Sequence, residues 1–296
     1  MKSFPYGVAA LTAVLALAPL SPLLATQPTG TPEPTAQPAP LGQPPAQPLS
    51  FAPGGDSLPG ATVPGAEQRR AHVPWAVGER LSYNVHFGPI KAGSASMEVR
   101  GFETVRGREA YHTVFQVNGG IPFYRVHDVF ESWMDTATLS SLRFVQDQDE
   151  GPKERQREYE IFPDSQLYRE MVAGGGEMQP SVSQPLDDGS FLYFIRTVPL
   201  AVGMTYEFNR YFRPDRNPVT IRVLRKESVK VPAGTFNAIV IQPIIKTSGI
   251  FSDKGRAEIW LSDDDQRIML QMKSKLSFGS LNLYLTSRES AADREG

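Results

Sequence analysis

The sequence predicts a mainly β fold: a single antiparallel domain, built as a strongly curved sheet, an open barrel or a sandwich, with one short helix near residues 188–198. Three observations predict it. Apolar and polar residues alternate at a period of two in run after run between Leu81 and Leu285. Clusters of Gly, Pro, Asn and Asp divide those runs. A single segment is spaced at three to four instead, the period of a helix.

The chain begins with an export signal over residues 1–25: Lys2, an apolar run from Val8 to Leu20, and Ala25 before a break in composition. Pro19 and Pro22 interrupt the run, so its unbroken core falls short of the roughly 20 residues that span a bilayer. Cleavage after Ala25 is therefore expected, although Leu23 departs from the small-x-small rule. The alternative is an uncleaved segment that tethers the protein to the inner membrane. Export to the periplasm or cell envelope excludes most nucleotide-dependent and gene-regulatory chemistry. The chain has no cysteine, so a lipid-modified signal and disulfides are both excluded.

Residues 26–66 carry eleven prolines with Gln, Thr and Ala between them, and only Glu33 and Asp56 are charged. Such a composition buries too little apolar surface to offset the entropy of ordering, which predicts a disordered proline-rich linker. In extended polyproline form it would reach about 120 Å at about 3.1 Å per residue. Residues 67–288 form the predicted β domain, and 289–296 a disordered tail.

Within that domain Leu81, Tyr83, Val85 and Phe87 alternate with polar residues, and a turn at Gly88 and Pro89 leads to Ala95, Met97 and Val99. The pattern returns at Tyr111 to Val117, at Tyr206, Phe208 and Phe212, and at Val219, Ile221 and Val223. Ile259 and Leu261, Ile268 to Met272, and Leu281 to Leu285 complete it. Turns are expected at Asn118 to Gly120, Gly174 to Gly176, Pro214 to Pro218, Pro232 to Gly234 and Asp263 to Asp265. Asp187, Asp188 and Ser190 lead into Phe191, Phe194, Ile195 and Val198, with Pro199 as the stop. That is a capped helix of two to three turns whose aromatic face packs on or inside the sheet.

The order of these pieces resembles domain-of-unknown-function family 3108, a group of bacterial exported proteins. Val77 to Tyr83, the Gly88 to Gly93 turn, Ser94 to Ser96, Asp187 to Arg196 with Gly203, Val231 to Phe236, Ile259 to Ser262 and Phe278 to Leu285 carry the resemblance. It implies an envelope-located, mainly β domain and supplies neither an activity nor catalytic residues.

Chemistry-bearing motifs are few. Net charge is −2, and the clusters Arg100, Arg106, Arg108 and Arg222, Arg225, Lys226 are small, so no nucleic-acid partner is expected. His72, His86, His112 and His127 form no metal-ligand pair, and Asp263 to Asp265 lack the glycine and distal glutamate of a calcium loop. No GxSxG or phosphate loop is present. No metal or other cofactor is expected.

Asp128, Glu131 and Asp135 lie beside His127 among Phe123, Tyr124, Phe130 and Trp133. Aromatic platforms bind sugar rings and paired carboxyls cleave glycosidic bonds, so an envelope glycan hydrolase using Asp128, Glu131 or Glu158 is one reading. It requires two of them to converge within roughly 5 to 10 Å. The leading reading is a non-catalytic module that binds an apolar or amphipathic envelope ligand, such as a lipid, or an envelope polymer. A structural module engaging another envelope protein through a strand edge or the proline-rich arm is the third.

Overall fold

The computed structural model describes residues 70–121, 124–151, 153–172, 175–246, 251, 257–276 and 279–290. The expected signal, the proline-rich linker and residues 291–296 of the tail expected over 289–296 lie outside the described residues; Glu289, placed in that tail, is corrected to the last residue of a strand.

The chain enters the sheet through β1 (Arg80–Phe87), β2 (Ile90–Val105), β3 (Arg108–Ile121) and β4 (Tyr124–Asp135). It continues through β5 (Ser141–Glu150), β6 (Lys153–Phe162), β7 (Leu167–Glu170) and the two-residue β8 (Gln179–Pro180). After the helix α1 (Asp188–Phe194) come β9 (Thr205–Phe208), β10 (Val219–Val231), β11 (Gly234–Ile244), β12 (Glu258–Ser262), β13 (Met269–Leu276) and β14 (Gly279–Glu289). The sheet order is β8-β7-β6-β5-β4-β3-β2-β1-β14-β13-β12-β11-β10-β9, antiparallel throughout. First and last strands thus pair, and the sheet stays open where the chain leaves it to build the helix.

That opening is bridged without a strand. The Leu186 amide donates to the Arg210 carbonyl and the Phe212 amide to the Leu186 carbonyl, an isolated parallel bridge between the segments that follow β8 and β9. Edge groups that would otherwise face water find partners there. Phe212, expected in a strand, instead inserts its ring against Phe144, Tyr159 and Tyr168.

All seven residues of α1 are buried. Asp187 caps it, accepting from the Gly189 and Ser190 amides at 2.8 Å, while its own amide donates to the Ser190 hydroxyl. Ser132 of β4 and Ser141 of β5 each donate a hydroxyl to the same carboxylate at 2.6 Å. Two residues after the helix, Arg196 is sealed from solvent and donates to Glu79 at 2.6 and 3.2 Å, and to the carbonyls of Pro74 and Gln266. Trp75 meets Tyr193 edge-on, and Phe191 meets Phe251. The helix is therefore anchored at both ends to the inner side of the sheet.

The expected turn at Asn118 to Gly120 is corrected: these residues lie inside β3, and Gly119 pairs with Gly93 of β2. A side chain on either glycine would strike the facing backbone, at the carbonyl of Asn118 or of Ala92. Close backbone approach, rather than chain reversal, requires glycine there.

Candidate functional site

The register allows a row of inward side chains to be followed from strand to strand. It runs from Val223 through Ile241, Ile259, Met272, Leu283 and Val85 to Gly93, Gly119 and Val126, entirely apolar or glycine, and arrives at Glu150. The adjoining row is Tyr83, Ala95, Val117, Asp128, Gln148 and Arg155. A third carries Leu81, Met97, Phe115, Phe130, Gln146 and Arg157. The interior is thus divided: β10 to β14 with β1 and β2 present an apolar wall, and β4 to β6 present carboxyls, amides and guanidiniums.

On the polar wall the environments of the acids differ. Asp188 accepts from the Tyr211 hydroxyl at 3.0 Å and from the Gln146 amide at 3.3 Å, and burial pushes its carboxyl up to about 7 against the pull of Tyr211. Burial raises Asp187 as well, and the hydroxyls of Ser132 and Ser141 with two backbone amides oppose the rise. Asp128 is fully buried, and neither of its carboxyl oxygens has a hydrogen-bonding partner in good geometry. Burial first, then the neighbouring Glu150 carboxyl, push it up to about 8, while the Gln148 amide works in the other direction. A buried acid without a well-formed hydrogen bond, beside a second buried acid, is unfavourable for the fold alone.

Nearer the helix the interior is filled by rings. Phe115, Phe130, Phe144 and Tyr159 follow one another across β3 to β6 with centroids 6.1–6.5 Å apart. The acids Asp128 and Glu150 lie on the side of this layer remote from α1, in the rows where β1 to β3 offer Val85, Gly93, Ala95 and Gly119.

The carboxylates considered for glycan cleavage separate. Asp128 faces inward, whereas Glu131 and Glu158 alternate to the outer face. Glu131 lies 2.7 Å from the His112 ring and 3.2 Å from Arg100, and Glu158 lies 2.7 Å from Arg143. His112 stacks on Trp133 at 4.5 Å and also contacts Glu103 at 2.8 Å. The Trp133 indole donates to Glu103, and this bond more than any other influence lowers the Glu103 carboxyl. Asp135 holds a turn, accepting from the Ala137 and Thr138 amides and pairing with Arg108. His127 bonds Asn118 on the exposed face, His86 meets Tyr284 edge-on, and His72 is exposed. Phe123 and the Tyr124 side chain lie outside the described residues. Asp264 organises the β12–β13 turn through Ser262, Gln266 and Arg267. Among the described residues no group of three or more His, Cys, Asp or Glu is placed to hold a metal.

Gln146, Gln148, Glu150 and Arg155 were not visible as site residues from sequence. Their signal was negative: a run over β5 and β6 in which neither set of alternate positions is consistently apolar.

This open β sheet with a buried helix and a divided interior belongs to a family. The model of domain-of-unknown-function family 3108, proteins of unknown function, matches residues 82–286, so the chain is a member. Several motifs of the resemblance meet in space, since Glu79 pairs with Arg196 and Asp187 caps the helix between them. No curated protein matches the chain. Among solved structures, a β-barrel-like protein of domain-of-unknown-function family 1849 from Brucella abortus is 10% identical, with a TM-score of 0.47 over 72% of this chain and 98% of that one. A protein assigned as a lipoprotein from Parabacteroides distasonis is 12% identical, with a TM-score of 0.34 over 73% and 97%. An exported protein with a YmcC-like fold from Bacteroides fragilis is 11% identical, with a TM-score of 0.28 over 75% and 100%.

Proposed function

We propose that this protein is a non-catalytic binding module of the cell envelope whose sheet takes up an amphipathic ligand. The ligand's apolar part lies on the wall formed by β10 to β14, β1 and β2. Its polar part meets Asp128, Gln148 and Glu150. One observation carries the reading: a fully buried carboxyl with no hydrogen bond in good geometry stands on the inner face, at the border between an apolar wall and a polar one. Glu131 and Glu158 lie on the opposite face from Asp128, so the carboxyls named for the hydrolase reading do not converge. No helix among the described residues is long and apolar enough to cross a membrane, and delivery by the signal at residues 1–25 belongs to the same proposal.

Native mass spectrometry of the full chain, purified from a bacterial envelope fraction and then exposed to phospholipid micelles, tests it. A bound amphiphile near one per chain is expected, with occupancy reduced by Val117→Asp, which places a charge beside Asp128. Absence of any bound lipid, both as purified and after exposure, overturns the reading.

A further inference from the structure

The amphiphile-binding reading leaves the head group open, and the charges on the polar wall narrow it. Asp128, Gln148 and Arg155 occupy one row on three adjacent strands. Strands about 4.8 Å apart place the first and last of these Cα atoms about 10 Å from one another, with the Gln148 amide between. Glu150 adds a second carboxyl one row away, directly opposite Val126.

The cation of the row also lacks a partner among the described residues. Arg157, its inward neighbour on β6, pairs with Glu170 at 3.4 Å. Arg155 is half-buried and has no hydrogen bond or ion pair among the described residues. β7 pairs only with Tyr159 to Phe162, so the portion of β6 that carries Arg155 has β5 as its single strand neighbour. A half-buried guanidinium and a buried acid thus share a wall without neutralising each other.

Three head-group classes can be compared with that wall. A simple anion suits Arg155 but brings Asp128 no donor. A simple cation brings Asp128 a donor but leaves Arg155 without a counter-charge among the described residues. A neutral head group brings Arg155 no counter-charge either. We infer that the protein recognises a zwitterionic head group of the phosphoethanolamine class, its ammonium between Asp128 and Glu150 and its phosphate on Arg155.

This inference rests on the proposed amphiphile binding and adds the chemistry of the head. An ammonium offers three donors, which two carboxyls and the Gln148 carbonyl oxygen can accept. A guanidinium offers a planar fork that fits phosphate oxygens. The proton that Asp128 retains near neutrality is replaced by the ammonium, so binding releases a proton to the buffer. The groups that face or influence this exchange are Glu150, Gln148 and Arg155 on the wall, Lys153 opposite Glu150 in the β6 register, Asp149 on the reverse of β5, and Val117 on β3.

The test uses the full chain and three probes with identical acyl chains in the same detergent micelles: phosphatidylethanolamine, phosphatidylglycerol and diacylglycerol. Competition by native mass spectrometry is expected to favour phosphatidylethanolamine by about tenfold or more over the other two. Calorimetry in buffers of different ionisation enthalpy should show proton release with phosphatidylethanolamine alone. Asp128→Asn should erase the advantage over phosphatidylglycerol, and Arg155→Ala the advantage over diacylglycerol. Arg155 is half-buried and has no partner among the described residues, so its variant keeps the fold and carries the test if Asp128→Asn does not. Equal occupancy by all three lipids overturns the zwitterion inference and leaves amphiphile binding standing. Failure of all three to bind overturns the proposed function itself.

Discussion

Asp128 and Asp187 are both fully buried carboxylates on the inner side of the same sheet, yet their surroundings are opposite. Asp187 receives hydrogen bonds from two serines and two amides, whereas Asp128 receives none in good geometry. The sign of the pH effect follows from the raised Asp128 value. Its carboxyl holds a proton more tightly folded than unfolded, so both states are protonated below about 4 and it then makes no pH-dependent contribution. As pH rises from about 4 towards about 8 the unfolded chain sheds the proton first, and folding loses stability through that window. At about 1.4 kcal/mol per pH unit, the loss is on the order of a few kcal/mol. Asp128→Asn should therefore raise the thermal midpoint at pH 8 clearly more than at pH 4. Equal shifts at the two pH values, measured by differential scanning calorimetry, would show that Asp128 is ionised in the folded protein. Identification of Asp128 as a candidate was possible in the sequence, because it is an acid among aromatic residues. Its lack of donors was not, since that depends on side chains brought in by β3 and β5.

At the scale of the element, α1 has seven residues, too few for a helix to persist on its own propensity. Its position is held by Asp187 at the start and by Arg196 just beyond the end. Asp187→Ala removes the cap and leaves the Ser132 and Ser141 hydroxyls without their acceptor, with an expected cost of about 2–4 kcal/mol. Arg196→Met leaves the buried Glu79 carboxylate with only Arg288, 3.6 Å away, and should cost about 3–5 kcal/mol in urea denaturation. Adding Glu79→Leu to Arg196→Met should recover part of that loss, since the buried charge that has lost its closest partner is then gone. A double variant no more stable than the single one would mean that packing, rather than stranded charge, dominates the cost. The helix and its capping residues were legible locally, from Asp187, Ser190 and the spacing of Phe191, Phe194 and Val198. The partner of Arg196 lies 117 residues earlier in the chain, and no local pattern announces it.

Across the whole molecule, the sheet is a meander in which first and last strands pair, and its open side is occupied by the helix connection. Curvature brings the β2 and β3 backbones together at Gly93 and Gly119, where neither position has room for a Cβ. Gly119→Ala should destabilise the protein by about 1–3 kcal/mol, read as a lower urea midpoint with little change in the denaturant slope. Gly101→Ala, where a Cβ meets nothing within 4 Å, is the control and should fall within about 1 kcal/mol of the parent. Strands β1, β2, β10 and β12 to β14 were readable because one face of each is apolar and the other polar. Strands β5 and β6 were not, because their inward positions include Gln146, Gln148, Glu150, Arg155 and Arg157. A period-two hydrophobic signal disappears when the buried face is itself polar.

By itself the sequence determined the antiparallel β class, the capped helix and the family, because alternation, turn residues and capping act between near neighbours in the chain. Tertiary structure alone decided which face each carboxylate occupies, that Glu79 neutralises Arg196, and that Asp128 and Arg155 share a wall without pairing. Those outcomes depend on strand register, and register joins residues that the chain itself keeps far apart.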